Sequence, residues 1–155
     1  MNNNKQSSRY VVFDIDGTLS DPNHRLNFAL MKEWDKFNEE AQNDPVIVKM
    51  ADLMRVLSLS TDIILLTGRN EKYRYVTQEW LSDAELDASY EELLMRADND
   101  FRPDYEVKIE LLEKRFGGKE GVLKNVWFVV DDRDQVVEAF RNYGLTALQP
   151  ANGGY

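Results

Sequence analysis

Short apolar runs alternate along this chain with longer segments in which apolar residues recur every three to four positions. Such runs are typical of strands buried in a parallel sheet, and the spacing between them is typical of helices. The apolar runs predict strands at residues 9–13, 63–66, 93–95, 126–130 and 145–148. Strands separated by helices predict an α/β, Rossmann-like fold with a doubly wound, mostly parallel sheet.

The helical segments share apolar stripes and recognisable start or stop residues. One helix is predicted within residues 20–43, on the spacing of Leu26, Leu30, Trp34 and Phe37. Others are predicted to start at Asp44-Pro45, to run from Thr67 to about Ser82, to stop at Gly117-Gly118 and to close at Gly144. The three tryptophans, Trp34, Trp80 and Trp127, lie on apolar stripes or strands and are predicted to be core residues.

Length and composition predict one globular domain over residues 9–155, preceded by a disordered polar tail at residues 1–8. The chain has 155 residues, of which 43% are hydrophobic, and no apolar run approaches the length of a membrane span or signal peptide. It contains no cysteine, which fits a reducing compartment. We therefore expect a cytoplasmic protein that does not engage a membrane.

The net charge of −9 restricts the possible partners. Proteins that bind long nucleic acids mainly through charge carry a stripe of basic residues, whereas the net charge of this chain is negative. A nucleotide or the end of a strand remains compatible with this charge, and the smaller substrate is mildly favoured. A bound metal cation would offset part of the negative charge.

Residues capable of chemistry follow three of the apolar runs. They are Asp14-Ile15-Asp16-Gly17-Thr18, Thr67-Gly68-Arg69 and Asp131-Asp132, and Lys108 lies early in a predicted helix. In open α/β sheets, ligands bind in the crevice beyond the carboxyl ends of the strands. These segments therefore predict one shared site.

Asp14 and Asp16 are two residues apart, so extended backbone would place both carboxylates on one side. One carboxylate could attack phosphorus while the other transfers a proton. Thr67 and Gly68 offer a hydroxyl and amide groups of the kind that bind phosphate oxygens. These residue types predict phosphoryl transfer.

Asp131 and Asp132 repel each other unless a cation lies nearby. A site with only oxygen ligands favours Mg²⁺ over zinc. Each motif taken alone also has a structural explanation. Asp-x-Asp-Gly could be a solvated turn, Thr67-Gly68 a helix cap, Lys108 a solvated lysine, and the acid pair the start of a helix.

The motifs occur together in an order that resembles haloacid dehalogenase superfamily phosphatases, and the match runs from Tyr10 to Gln149. The resemblance implies Asp14 as nucleophile and Asp16 as general acid and base. It implies Thr67 and Lys108 as phosphate ligands. It further implies Mg²⁺ held by Asp14, the backbone carbonyl of Asp16 and Asp131, with Asp132 acting through water.

A closer resemblance is to the phosphatase half of phage-type polynucleotide kinase-phosphatases. It is carried by Thr67-Gly68-Arg69, by residues 94–96 and 102–108, and by residues 130–137. It implies removal of a 3′-phosphate from a nucleic acid end or a nucleotide, with Arg25, Gly68 and Arg69 binding the substrate. The chain has no Gly-x-x-x-x-Gly-Lys-Ser/Thr motif, so kinase activity is not predicted.

The segments between the motifs leave no room for a large lid, so a small or absent cap is predicted. An open crevice admits polymer ends as well as small molecules. Three side chains have open roles: His24 could touch substrate or be structural, and Arg96 and Arg102 could line the crevice or pair with acids such as Asp98 and Asp104.

The sequence favours a Mg²⁺-dependent phosphomonoesterase acting through phospho-Asp14, with a polynucleotide 3′-phosphate or a nucleotide as substrate. A 5′-nucleotidase or general small-molecule phosphatase is the alternative within the same class. A receiver-like phosphoacceptor module is disfavoured, because there the acid pair would close the first strand. A catalytically idle binding module is disfavoured because no motif residue is missing. A separate kinase or a second copy of the chain remains open as a partner.

Overall fold

The computed structural model describes residues 9–154, and its centre is a five-stranded parallel sheet. The strands are β1 (Tyr10–Phe13), β2 (Asp62–Asn70), β3 (Glu92–Arg96), β4 (Val126–Val130) and β5 (Ala147–Leu148). They lie in the order β3-β2-β1-β4-β5, and every neighbouring pair is parallel. This confirms the predicted α/β doubly wound sheet. The predicted tail at residues 1–8 lies outside the described residues, and the single domain over residues 9–155 stays a prediction.

Seven helices lie within the described part of the chain. They are α1 (Leu26–Leu30), α2 (Trp34–Glu39), α3 (Val48–Ser58), α4 (Arg74–Asp83), α5 (Asp104–Phe116), α6 (Lys119–Asn125) and α7 (Asp134–Tyr143). The pair α3 and α4 packs on one face of the sheet, and α5, α6 and α7 pack on the other. None of the described helices combines the length and the apolar character needed to cross a bilayer.

Side chains of β1 alternate between the two faces of the sheet. Val11 and Phe13 pack with α3 and α4, whereas Val12 packs with the helices of the opposite face. Because both faces are covered, every residue between Val11 and Phe13 is buried, which explains why the strand is a continuous apolar run. The central position of β1 fixes where Asp14, the next residue, leaves the sheet.

The predicted single helix within residues 20–43 is wrong. The structure has two short helices there, α1 and α2, flanked by 3₁₀ turns at Asn23–Arg25 and Glu40–Asn43. Lys32, between α1 and α2, has a φ of 59°, a left-handed conformation that stops the first helix. Leu30 then lies outside the core and is 83% exposed. The two helices form a small cap segment, residues 23–43.

Two predicted helix starts are also wrong. α3 begins at Val48, because Asp44 is buried and its carboxylate binds Arg25 instead of capping a helix. Extended pairing of β2 continues through Thr67 to Asn70, so the next helix, α4, begins at Arg74. In both places a tertiary contact overrides the local signal.

The three tryptophans differ in burial. Trp80 is buried, as predicted, and its indole Nε1 donates to the Asp44 carbonyl at 2.8 Å. Trp34 and Trp127 are 56% and 48% exposed, so their assignment to the core is wrong. The neighbouring strand β5 pairs only with Val129 and Val130, which leaves the start of β4 and its Trp127 without a strand beside it on that side.

Candidate active site

Asp14, Lys108 and Asp131 meet at the carboxyl edge of the sheet. Asp14 directly follows β1, and its backbone N–H donates to the carbonyl of Val130 in β4 at 2.9 Å. The Lys108 Nζ, from α5, donates to Asp14 Oδ1 at 2.9 Å and to Asp131 Oδ2 at 2.7 Å. All three side chains are buried. Residues far apart in sequence are thus brought together as the motifs predict.

Asp104 completes the surroundings of Lys108. It lies one helical turn earlier on α5, and its Oδ2 is 3.1 Å from Lys108 Nζ. Burial alone would lower the pKa of Lys108, but Asp104, Asp131 and Asp14 together raise it well above its usual value. The ammonium group therefore stays charged at neutral pH. Lys108 is consequently a buried positive charge shared by Asp14, Asp104 and Asp131.

Three buried carboxylates are close enough to hold one metal ion. Oxygen atoms of Asp14, Asp131 and Asp132 all lie within 4.8 Å of one another. Burial raises the pKa of Asp14 well above its usual value, the charge of Asp131 raises it further, and Lys108 offsets these effects only in part. A divalent cation would supply the missing positive charge. The all-oxygen donor set fits Mg²⁺.

Adding Mg²⁺ to the metal-free protein is expected to raise its Tm. At about one hundred times the dissociation constant, binding to the folded state contributes about 2.7 kcal/mol, which raises the Tm of a chain this size by about 5–10 °C. Asp131→Asn should remove most of this shift, because it deletes one of the three carboxylates. Asp52→Asn, an exposed acid on α3, is the matched control. Equal shifts in the Asp131→Asn and wild-type proteins, by differential scanning calorimetry, would contradict the site.

Asp16 is held by two arginines beside this cluster. Arg69 donates to its carboxylate from Nε at 2.9 Å and from Nη2 at 2.6 Å, and Arg25 donates from Nη2. Burial would raise the pKa of Asp16, but Arg69 and then Arg25 outweigh it and hold that pKa well below its usual range. Asp16 is therefore ionised at neutral pH. Its predicted backbone contact to Mg²⁺ stays a prediction.

Arg25 links the cap segment to Asp16. Its side chain is fully buried, its Nε donates to Asp44 Oδ1 at 2.7 Å, and its Nη1 donates to the Phe37 carbonyl at 2.9 Å. His24 Nε2 also lies 2.8 Å from Asp44 Oδ1, which gives this histidine a structural partner. In this structure Arg25 thus binds protein carboxylates, and its predicted contact with substrate stays a prediction.

Thr67 and Gly68 lie in the last part of β2, where the pairing register with β3 shifts. The Thr67 hydroxyl accepts a hydrogen bond from the Arg69 N–H at 3.2 Å. The Gly68 carbonyl accepts from Arg96 Nε at 2.9 Å, and a Cβ at Gly68 would overlap the Asp104 carboxylate. A larger residue at this position would therefore displace the Asp104 carboxylate.

Sequence reasoning missed the roles of Asp44 and Asp104. The spacing of four residues between Asp104 and Lys108 is a helical ion-pair signal that could have found the second. No local signal pairs Asp44 with Arg25, because the two are distant in sequence and meet only in the fold. Arg96, whose role the sequence leaves open, pairs with Asp104, and Arg102 pairs with Asp100 and Glu110.

Comparison with known proteins identifies relatives of this chain. Residues 8–155 match the model of the family described as the polynucleotide kinase PNKP phosphatase domain. A chain in the structure of the Pnkp1/Rnl/Hen1 RNA repair complex is 30% identical, with a TM-score of 0.80 over 100% of this chain and 46% of that one. A chain in a second Pnkp1/Rnl/Hen1 complex is 32% identical over 96% of this chain and 47% of that one, with a TM-score of 0.79.

The chain thus spans less than half the length of these two relatives. A more distant structure is the haloacid dehalogenase-like hydrolase SP0104 from Streptococcus pneumoniae, 12% identical over 92% of this chain and 84% of that one, with a TM-score of 0.69. That likeness concerns the fold alone. On the family match over nearly its whole length, the chain belongs to the PNKP phosphatase domain family of the haloacid dehalogenase superfamily.

Proposed function

We propose that this protein is a Mg²⁺-dependent phosphomonoesterase that removes the 3′-phosphate of polynucleotide ends or nucleotides through a phospho-Asp14 intermediate. The observation that carries the proposal is the buried contact of Lys108 with both Asp14 and Asp131 at the carboxyl edge of the sheet. The contact brings together Asp14, which we propose as the nucleophile, the ammonium of Lys108 and Asp131, which we propose as a metal ligand. The match to the PNKP phosphatase family supports the 3′-phosphate as substrate.

In the first step, an oxygen of Asp14 forms a bond to phosphorus while the bond from phosphorus to the leaving oxygen breaks. Lys108 orients Asp14 and offsets the charge of the phosphoryl group, and Thr67 and Gly68 bind its oxygens. Asp131 and Asp132 would hold Mg²⁺ with Asp14. When bound, the ion supplies positive charge to the phosphoryl oxygens as a Lewis acid.

Asp16 transfers the protons of both steps. Its two arginines keep it ionised in the resting protein, which is the form that activates water in the second step. To protonate the leaving oxygen it must first take up a proton, and a negative phosphate group beside it favours that uptake. Water then attacks phosphorus and its proton passes to Asp16, while the bond from phosphorus to Asp14 breaks and releases inorganic phosphate.

The small cap segment supports a polymer end as substrate. The region between the first two motifs holds the cap segment, with the short helices α1 and α2, and then α3, which packs on the sheet. No inserted domain covers the crevice in the described residues. One of the similar chains belongs to the Pnkp1/Rnl/Hen1 RNA repair complex, and we propose a related role in end healing here. A kinase partner, a second copy of the chain and the cytoplasmic location stay predictions.

The test is phosphate release, with and without Mg²⁺, from matched substrates. These are 3′-phosphorylated DNA and RNA oligonucleotides, nucleoside 3′- and 5′-monophosphates, and an aryl phosphate. We expect the highest kcat/KM with 3′-phosphorylated oligonucleotides, and loss of activity when Mg²⁺ is removed by a chelator. Preference for the 5′-monophosphates would instead establish a 5′-nucleotidase. A stable phosphoprotein without turnover would establish a phosphoacceptor module.

A further inference from the structure

Phe101 is a solvent-exposed aromatic side chain at the carboxyl edge of the sheet. It lies in the loop at residues 97–103, between β3 and α5, and is 90% exposed. Among the large apolar side chains of the described residues, none is more exposed. A single exposed apolar residue is ordinary in a folded protein, so its meaning depends on what surrounds it.

The loop that carries Phe101 is held at several points. Arg96 donates from Nη1 to the carbonyls of Asp100 at 3.1 Å and Arg102 at 2.7 Å, the residues on either side of Phe101. The Lys72 N–H donates to Asp98 Oδ1 at 2.8 Å. The exposed ring thus lies on a backbone that hydrogen bonds already hold in place. Binding through this ring would therefore cost the loop little conformational entropy.

The same arginine connects this loop to the proposed phosphate-binding segment. Arg96 Nε donates to the Gly68 carbonyl, and Arg96 Nη2 donates to Asp104 Oδ1 at 3.1 Å. Asp104 in turn contacts Lys108, which contacts Asp14. The side chains of Lys108, Asp104 and Arg96 therefore link Asp14 to the loop that carries Phe101. This loop lies at the same edge of the sheet as Asp14.

Phe101 also borders an open hollow of about 580 Å³, lined by Ala97, Asn99, Asp100, Phe101 and Arg102. This volume is in the range of small-molecule sites. Its one acidic side chain is neutralised, because Arg102 Nη2 lies 2.6 Å from Asp100 Oδ2. The hollow thus offers an aromatic face, an amide and a paired arginine, which suits a flat and polar-edged ring.

We propose that Phe101 stacks on a nucleobase of the strand whose 3′-phosphate lies at Asp14. This inference rests on the proposed function and adds to it a substrate-binding contact. Every base has a π-face, so the contact would be tolerant of sequence and would serve DNA and RNA ends alike. Arg96 binds both the loop of Phe101 and the Gly68 carbonyl, and this link to the proposed phosphate-binding segment favours the substrate strand over a protein partner as the occupant of the hollow.

Phe101→Ala tests the inference with two oligonucleotides that share a 3′-phosphate. One carries all its bases, and the other has abasic sugars at its last three positions. With the first, Phe101→Ala should raise KM about fivefold to 150-fold, the range that corresponds to loss of one base stack, and change kcat less than about twofold. With the abasic oligonucleotide and with an aryl phosphate, kcat/KM should be unchanged. Phe101→Trp should restore the wild-type KM.

Leu59→Ala is the matched control, because Leu59 is 86% exposed and follows α3 at the amino edge of the sheet. If Phe101→Ala hydrolyses the base-bearing oligonucleotide with the wild-type KM, the inference is overturned and the proposed function stands. An equal loss of kcat/KM on all three substrates would have the same meaning. A wild-type protein that hydrolyses only the aryl phosphate would overturn the proposed function, and the inference with it.

Discussion

Asp14→Asn is expected to lower phosphate release by about 10⁴-fold or more, because an amide cannot attack phosphorus in place of the carboxylate. The replacement is nearly isosteric, so the backbone contact of Asp14 with Val130 should remain. Mass spectrometry of acid-quenched reactions should detect phosphate on the peptide containing Asp14 in the wild-type protein and not in the variant. Full activity of Asp14→Asn would exclude the proposed mechanism.

The same variant should be more stable than the wild-type protein in metal-free buffer at pH 7. Burial, with Asp131 as the next cause, raises the pKa of Asp14 above its value in the unfolded chain. A raised pKa means that ionised Asp14 opposes folding once the pH exceeds its ordinary value of 3.8. The stability difference between variant and wild type should therefore shrink as the pH is lowered toward that value.

Calorimetry at two pH values, each without metal, measures this difference. Asp52→Asn serves again as control, since it removes a charge from an exposed position on α3. A variant that is inactive and more stable is the pattern of a residue kept for chemistry at the expense of folding. A large loss of stability in Asp14→Asn would instead assign Asp14 a structural role.

Lys108→Met should destabilise the protein by about 3–5 kcal/mol and abolish activity, because it leaves buried carboxylates without their shared cation. The remaining group consists of Asp14, Asp104 and Asp131, each of which contacts the ammonium in the wild-type protein. For a chain of this length, the Tm would fall by roughly 10 °C. Added Mg²⁺ should recover part of the stability, because the ion replaces the lost charge, but it cannot orient Asp14.

The stability lost in Lys108→Met should be the same across neutral and mildly alkaline pH. Although burial opposes it, the neighbouring carboxylates raise the pKa of Lys108 above its ordinary 10.5, so its stabilising charge is present below that pH and is lost only as the pH rises beyond it. Lys114→Met is the matched control, since Lys114 lies on the same helix and is mostly exposed. An equal Tm for Lys108→Met and Lys114→Met would contradict the buried contacts described for Lys108.

The sheet and the central acids could be predicted from the sequence because both depend on local patterns. A strand buried on both faces must be apolar throughout, and the apolar run at residues 11–13 therefore indicates the place of a central strand. Asp14 and Asp131 directly follow such strands, so their positions at one edge follow from the parallel sheet. The grouping of the motif residues needed no knowledge of loop structure.

The cap segment and the partners of Asp16 could not be predicted in this way. Their conformation depends on Arg25, whose contacts reach Asp16, Phe37 and Asp44 across stretches with no periodic signal. Helical spacing suggested one helix where a left-handed Lys32 divides two. The local capping preference of Asp44 gave way to a buried ion pair, which no short-range rule anticipates.

The central place of β1 also has a consequence for synthesis of the chain. Tyr10–Phe13 leaves the ribosome before its partner Val126–Val130, which follows roughly 110 residues later. At about 5–20 residues per second, the nascent chain would keep one edge of β1 unpaired for on the order of ten seconds. During this interval the apolar run is available to chaperones, and Asp14 gains its anchor at Val130 only after β4 has been made.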